Sequence, residues 1–494
     1  MNMPTFLSKS RYIAGVQCRK HLWLSIHKPE LCGEPDKKTQ QVFDIGHMVG
    51  KYARQVFDNG TLIEEDHLHT LQAIQSTKKA AESSTPALFE AAVSYNRLMC
   101  RADILFRAGK VWDLYEVKST TQVKDIHLHD VAFQIFCFEK AGYRLRKAML
   151  MHVDSSYVRH GDIEPKKLFG TDDISKDVKL LTKDIEKTAQ QFVNDIDSKT
   201  CLEIEPGSQC TDPYECPFYE YCKKEPEPYS IYELSRGNKV IPKLENIGIT
   251  SLKDVPDDFP LNEKHKKQVT AIKTKKPVID TAAIKAFLKT LEYPLYFFDY
   301  ETIASAIPLF DGSRPYQNVP FQFSLHIQKK PNDECEHYEF LGENNQDPRE
   351  PLIEQMLKLI GKKGSIVAFN ATFEIQRIKE LARDFPHYSK DLLPFIPRFR
   401  DLIIPFRNGD YVHRDFHGSA SLKFVLPVLV PKLSYKDLEI QEGGTASLFA
   451  ELWYCGKMNE TEWKKTRKDL LKYCKLDTLA MVEVLKVLYL SIGK

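Results

Sequence analysis

The strongest constraint on how this chain folds is the run PLYFFDYET at residues 294–302, nearly continuous in apolar side chains and interrupted by two acids. Such a run reads as a buried strand that opens an α/β unit. Side chains two apart along a strand share a face, so Asp299 and Glu301 point the same way. Paired carboxylates at a strand end suit two metal ions about 3.5–4 Å apart, one activating water and one stabilising the leaving oxygen. The pattern predicts further strands at NVPFQFSLHI, HYEFLG and SIVAFN, and helices at 350–360, 372–383 and about 463–490. Asn370 then falls at a strand end, Glu374 in the first turn of the next helix, and Tyr473 and Asp477 four apart on one helical face.

An independent α/β pattern precedes this unit. Residues 40–57 carry apolar side chains at helical spacing and place His47 on a helix. The stretch 87–120 reads as consecutive antiparallel strands with a turn at Ala108, Gly109 and Lys110. A helix from Asp125 to Gly142, carrying Gln134, and a strand over 147–158 complete a mixed α/β sheet. Glu116 and Lys118 share one strand face, and Asp103 on the neighbouring strand can reach it. Two carboxylates hold a hard cation, Mg²⁺ or Mn²⁺, and an adjacent lysine positions or helps deprotonate an attacking water, as phosphodiester hydrolysis requires.

Eleven cysteines, an odd number spread over 494 residues, do not form a small secreted disulfide framework. Cys210, Cys216 and Cys222 nevertheless cluster, with Cys18 far upstream. Four thiolates can hold a 4Fe-4S cluster or a tetrahedral Zn²⁺, and the lack of a CxxC pair weakens the zinc reading. Cys201 is a replacement candidate, whereas Cys32, Cys100, Cys137, Cys335, Cys455 and Cys474 have no partners at ligand spacing and read as packing residues.

Composition bounds the rest. At roughly 150 residues per domain the length implies two or three domains, and 42% hydrophobic with 28% charged residues excludes wholesale disorder. Seventy basic against 68 acidic residues leave a net charge of +2, which supplies no bulk attraction to a polyanion. No apolar run approaches the ~18 residues of a membrane span, and the first twenty residues lack a signal-peptide core; the expectation is a cytoplasmic protein without a membrane partner. KKEPEPYS, after Cys222, reads as a linker. The segment 226–285 reads as mostly helical, with NIGITSL between two helices and lysines at 264, 266, 267, 273, 275 and 276. A turn glycine of this kind is compatible with a helix-hairpin-helix contact to DNA backbone, and equally with a plain helical linker.

The order His47, Asp103, Glu116, Lys118, Gln134 resembles the PD-(D/E)XK nucleases of the RecB-like exonuclease group, with Phe138 where that group has the tyrosine of a QxxxY motif. One cysteine before this core and three after it resemble the iron-sulfur nucleases of the same group, including CRISPR-associated and AddB-type enzymes, whose cluster staples the two ends of the domain. DxE at Asp299 and Glu301, NxxFE at Asn370 to Glu374 and YxxxD at Tyr473 and Asp477 resemble the DEDD 3′ to 5′ exonucleases of the RNase H-like superfamily, tyrosine subclass. Glu374 stands where most of that family has aspartate, and the segment around Ser421 and Lys423 resembles the one that precedes the last motif in polymerase-type exonuclease domains. The two modules in this order look like a family of bacterial proteins joining both.

These resemblances imply a PD-(D/E)XK domain at 1–225, a helical linker at 226–285 and an RNase H-like domain at 286–494. They imply a metal-dependent nuclease with two active sites, acting on DNA ends or single strands, DNA favoured over RNA. In the first site Asp103 and Glu116 bind metal, Lys118 supports the nucleophile, and His47 and Gln134 assist. In the second, Asp299, Glu301, Glu374 and Asp477 hold two metals and Tyr473 orients water for 3′ to 5′ removal of nucleotides. Cys18, Cys210, Cys216 and Cys222 carry a structural cluster. Two other readings are a nucleic-acid-binding scaffold with one site silent, motivated by Phe138 and Glu374, and an RNA-processing or repair accessory whose substrate a partner sets.

Overall fold

The computed structural model describes residues 5–32, 37–66, 68–223 and 228–493. The chain divides into two compact units: Met1–Lys224 with Ser305–Tyr316, and Glu225–Ala304 with Gln317–Lys494. The linker expected at KKEPEPYS straddles that division, and its residues 224–227 lie outside the described residues. The segment 226–285, expected to be mostly helical, is counted with the second unit and is α-helical only at Ile241–Glu245, Glu263–Thr274 and from Thr281 onward.

The first unit runs β1 (Leu7–Ser8), α1 (Lys9–Gln17), α2 (Arg19–His27), α3 (Lys37–Arg54), β2 (Thr61–Leu62), α4 (Thr70–Glu82), β3 (Ala87–Tyr95), β4 (Leu98–Ala108), β5 (Val111–Lys118), α5 (Asp125–Lys140), β6 (Leu145–Val153), α6 (Pro165–Leu168), β7 (Phe169–Asp173), α7 (Ser175–Asp197) and α8 (Tyr219–Cys222). Its seven-stranded mixed sheet has the order β2-β3-β4-β5-β6-β7, with β1 parallel to β4. The β4–β5 hairpin turns at Gly109, whose φ of 71° is the left-handed conformation glycine adopts without strain. Strand β6 stops at Val153, short of the expected 158. Helix α5 is buried on every side from Asp130 to Phe138, as a helix wedged between a sheet and other helices is; it packs on α7 and on α1, where Tyr12 stacks on Phe133 at 4.6 Å. Ala306 and Ile307 join a cluster with Val49, Val153 and Leu168. Arg159 donates to the carbonyls of Pro308 and Leu309 (3.0 and 2.6 Å), and the Tyr316 hydroxyl donates to the Ser119 carbonyl.

The second unit continues with α9 (Ile241–Glu245), α10 (Glu263–Thr274), β8 (Val278–Ile279), α11 (Thr281–Leu288), β9 (Leu295–Ile303), β10 (Val319–Gln328), β11 (Glu336–Leu341), α12 (Arg349–Leu359), β12 (Ser365–Ala368), α13 (Thr372–Asp384), α14 (Ser389–Leu392), β13 (Phe399–Asp401), α15 (Ile404–Asn408), β14 (Tyr411–Val412), α16 (Leu422–Leu429), α17 (Gly443–Tyr454) and α18 (Glu460–Leu490). NIGITSL follows the short α9, but the next helix begins only at Glu263, because Pro256 and Pro260 break the intervening stretch. The five-stranded sheet has the order β11-β10-β9-β12-β13, antiparallel across β11-β10-β9 and parallel across β9-β12-β13. Strand β9 is therefore central, which is why its sequence is apolar on both faces. Helix α18 starts on a capping box in which Asn459 and Glu462 satisfy each other's backbone amides.

Among the described residues no helix is long and apolar enough to cross a membrane.

Candidate active sites and cysteine centre

In the first unit Asp103 and Glu116 meet across the β4–β5 pairing. The Val117 amide donates to Asp103 Oδ2 at 2.7 Å. Glu90, at φ 58°, and Asp103 opposite it are both passed over in the pairing of β3 with β4, whose register is the same on either side. Lys118 Nζ donates to Glu116 Oε1 at 2.6 Å and to Asp130 Oδ2 at 2.6 Å. Gln134 Nε2 donates to Glu116 Oε2 at 2.6 Å and to Asp130 Oδ1 at 3.0 Å. Lys9, at the start of α1, donates to both Glu116 oxygens at 3.0 and 3.2 Å. Gln134 Oε1 is buried and has no partner.

The charges explain the titration of the group. Burial alone would raise Glu116, but Lys118 and Lys9 hold it well below the usual carboxylate range. Asp103 goes the other way, to about 7, because it is buried and faces the ionised Glu116. Lys118 is held charged by Glu116 and Asp130 against the pull of burial. A lysine so firmly protonated fits a role in orienting water or phosphate better than one in removing a proton.

Of the residues expected at this site, Asp103, Glu116, Lys118 and Gln134 come together, and His47 is exposed on α3. Phe138 is fully buried in the core of the unit, against Tyr143. Lys9 and Asp130 belong to the site and were missed. Asp130 sits four residues before Gln134, a helical spacing that signals a shared face; nothing near Lys9 in the sequence points to it.

In the second unit the carboxyl ends of parallel strands collect the acids, the position where open α/β sheets bind ligands. Strand β12 pairs β9 only as far as Phe297, so Asp299 and Glu301 extend past the paired stretch. Glu374 sits in the first turn of α13, where the helix dipole favours an anion. Together with Tyr473 and Asp477 from α18 these residues line a cavity of about 650 Å³, with Asn370, Arg407 and Lys423 also on its wall. A Cβ on Gly443 would stand 3.5 Å from Glu301 Oε2, so a bulkier residue there would crowd the carboxylate.

No basic side chain forms an ion pair with any of the four acids among the described residues. Asp477 Oδ1 accepts from the Tyr435 hydroxyl at 2.5 Å. Cys474 Sγ lies 3.9 Å from Asp299 Oδ2. Glu374 Oε2 is buried without a partner. Burial and mutual repulsion raise Asp299 and Glu301 well above the carboxylate range; burial raises Glu374 to about 8 and Asp477 to about 7. Four acids around one cavity, Glu301 and Glu374 buried and Asp299 and Asp477 half-buried, with no ion pair to any of them among the described residues and one orphaned oxygen, fit divalent cations as the missing partner.

All five residues expected here, Asp299, Glu301, Glu374, Tyr473 and Asp477, are brought together. Cys474 is buried, as a packing residue is, and its donor atom and those of Asp299 and Glu301 lie within 4.8 Å of one another. Tyr435, whose ring centroid is 5.9 Å from that of Tyr473, is the tyrosine that bonds Asp477; it follows a proline-containing stretch with no motif to mark it.

The raised carboxyls carry a pH dependence. Their folded values lie above the ~4 of unfolded carboxyls, so between about pH 4 and pH 8 these groups bind more protons in the folded chain than in the unfolded one, and their contribution to metal-free stability falls as pH rises. Mn²⁺ competes with those protons. The rise in melting temperature caused by Mn²⁺ is expected to be small at pH 5 and largest near pH 8, as thermal melts with and without the ion will show.

The cysteines form a third group. Cys18 is the residue between α1 and α2, Cys210 and Cys216 are buried with Trp23, Leu24 and Phe218, and Cys201 and Cys222 pack against that cluster. Gln17 clamps the loop, donating to the carbonyls of Gln209 and Tyr214 at 2.8 and 2.6 Å. Four thiolates are thus available, with Cys201 as a fifth. Asp299, Glu301 and Cys474 are the one group of three potential ligands with donor atoms mutually within 4.8 Å among the described residues.

Residues 296–421 match the profile of a domain of unknown function, DUF2779. That stretch contains Asp299, Glu301 and Glu374 and ends before Tyr473 and Asp477. The chain is 27% identical over 211 residues to uncharacterized protein MG366 of Mycoplasma genitalium, covering 38% of this chain and 31% of the relative. The M. pneumoniae homolog of MG366 is 26% identical over 220 residues, 40% and 33% of the two chains. Uncharacterized protein UU173 of Ureaplasma parvum is 28% identical over 225 residues, 41% and 32%. The chain thus matches about a third of the length of these relatives. No solved structure matches it.

Proposed function

We propose that this protein is a metal-dependent nuclease with two active sites, hydrolysing phosphodiester bonds of DNA ends or single strands. The observation that carries the reading is the quartet Asp299, Glu301, Glu374 and Asp477, assembled from a strand and two helices around one cavity with no ion pair to any of them among the described residues. In this reading the second unit is an RNase H-like exonuclease of the DEDD type and the first a PD-(D/E)XK nuclease. Mg²⁺ or Mn²⁺ bound by the carboxylates supplies an activated water and stabilisation of the leaving oxygen. Tyr435 fixes the orientation of Asp477, Tyr473 reaches the same cavity as a polar group for water, and Lys423 and Arg407 give its wall positive charge for a phosphate. In the first unit Asp103 and Glu116 hold the ion, Gln134 fixes Glu116, and Lys118 presents an ammonium beside it. Cys18, Cys210, Cys216 and Cys222 carry a 4Fe-4S cluster with a structural role, since hydrolysis transfers no electron; the lack of a CxxC pair is what favours iron-sulfur over zinc.

A second reading keeps the exonuclease and makes the first unit a nucleic-acid-binding scaffold. It is favoured by Glu116, which has two lysine partners already and needs no cation to be neutralised. The test uses anaerobically purified protein with 5′-labelled and 3′-labelled DNA and RNA, with and without Mn²⁺, beside Asp103→Ala and Asp299→Ala. Two sites give two activities, each lost with its own aspartate. If only Asp299→Ala changes the products the scaffold reading stands, and intact substrates throughout would refute the enzyme.

A further inference from the structure

Lys9 stands outside every motif in the sequence, yet it donates directly to Glu116 of the first unit. Its place is built in: β1 pairs with β4 at Leu7 and Ser8, and the helix that starts at Lys9 is capped by the Ser8 hydroxyl, which accepts from the Arg11 amide. Tyr12, one turn on, stacks against Phe133 of the helix that carries Asp130 and Gln134. The ammonium therefore sits over Glu116, with Asp130 at 3.8 Å.

Two lysines thus share two acids, and they do not share them equally. Lys118 is 2.6 Å from both Glu116 and Asp130, a length typical of a strong charge-assisted bond. Lys9 reaches the same Glu116 oxygens at 3.0 and 3.2 Å and Asp130 only at 3.8 Å. A cation bridging Asp103 and Glu116 needs a Glu116 oxygen, and the looser ammonium is the one that yields. Asp103 is the carboxyl with no lysine bonded to it, and Gln134 Oε1 is a buried acceptor still without a donor.

We propose that Lys9 is a positioning residue of the first unit's nuclease site: its ammonium occupies Glu116 until a divalent cation displaces it, and once displaced it serves the substrate phosphate. The inference rests on the nuclease reading of that site. It accounts for the ion-paired Glu116 without requiring a silent site, because the pair is the resting state that the metal exchanges for.

The experiment measures Mn²⁺ binding by the loss of the free-ion EPR signal, in full-length protein carrying Asp299→Ala and Asp477→Ala so that the second unit's site is removed. Lys9→Met takes away the competing charge and is expected to lower the half-saturating Mn²⁺ by about tenfold, while lowering turnover of labelled DNA at saturating Mn²⁺. Lys9→Arg keeps the charge and is expected to stay near the parent in Mn²⁺ affinity. Tighter metal with slower turnover is a split that a loss of packing would not give, since damage to the fold weakens both. Unchanged or weaker Mn²⁺ binding in Lys9→Met, or equal behaviour of the Met and Arg variants, overturns the proposal while leaving the nuclease site standing. A parent protein that binds no Mn²⁺ at this site overturns the nuclease reading and the role of Lys9 together.

Discussion

Asp299→Ala will abolish Mn²⁺-dependent shortening of DNA from its 3′ end, by at least about a thousandfold, and will not destabilise the metal-free protein. The two halves of that result come from the same electrostatics. Asp299 is surrounded by Asp477, Glu301 and Glu374, and these neighbours together with burial push its carboxyl well above the usual range. Without an ion the acid costs stability, so removing it is neutral or favourable at pH 8. With an ion the same carboxylate would be a ligand, and its loss would weaken the hold on the charge that activates water; losses of roughly 10²–10³ per transition-state contact are ordinary. Asp299→Asn, which preserves shape and removes charge, is expected to match the alanine variant in activity. Initial rates on 5′-labelled single-stranded DNA, paired with thermal melts in chelator, test both halves.

The second large effect concerns the cysteine centre. Cys216→Ser is expected to remove the brown absorbance near roughly 400 nm that thiolate-ligated iron gives, and to lower the melting temperature of the first unit. Cys18 and Cys210 lie far apart in sequence, and a clip that closes a loop of roughly 200 residues restricts the unfolded chain by ~5 kcal/mol in the chain-entropy account. For a unit of this size that corresponds to a fall of about 10–20 °C. Cys335→Ser, in a residue packed on the core of the second unit, is expected to leave both iron content and the first transition unchanged. A colourless parent protein with stoichiometric zinc would sink the iron assignment while leaving the clip in place.

Two acids on one strand face, an acid in a helix's first turn and a Tyr-to-Asp spacing of four all became neighbours of one cavity, because strand and helix periodicities carry local geometry faithfully. What periodicity does not carry is which distant segment closes a site. Lys9 arrives through the pairing of β1 with β4, Tyr435 from an irregular stretch before α17, and Cys474 from the α18 face turned toward β9. The same limit applies to His47: the helix was legible, but the face it presents depends on how α3 packs, and that leaves the imidazole exposed. The mixed α/β character was readable from alternating strands and helices; the passing of 305–316 from the second unit's chain into the first had no signal in the sequence.

The central claim is that the four acids of the second unit's cavity are a binding site for divalent cations. Crystals of the protein equilibrated with Mn²⁺ at pH 8, with anomalous data collected at the manganese edge, test it directly. The account expects anomalous peaks between Asp299 and Asp477 and beside Glu301 and Glu374, absent in Asp299→Ala crystals. Four acids with no manganese among them at saturating concentration, neutralised by protons or by a lysine turned into the cavity, would contradict it.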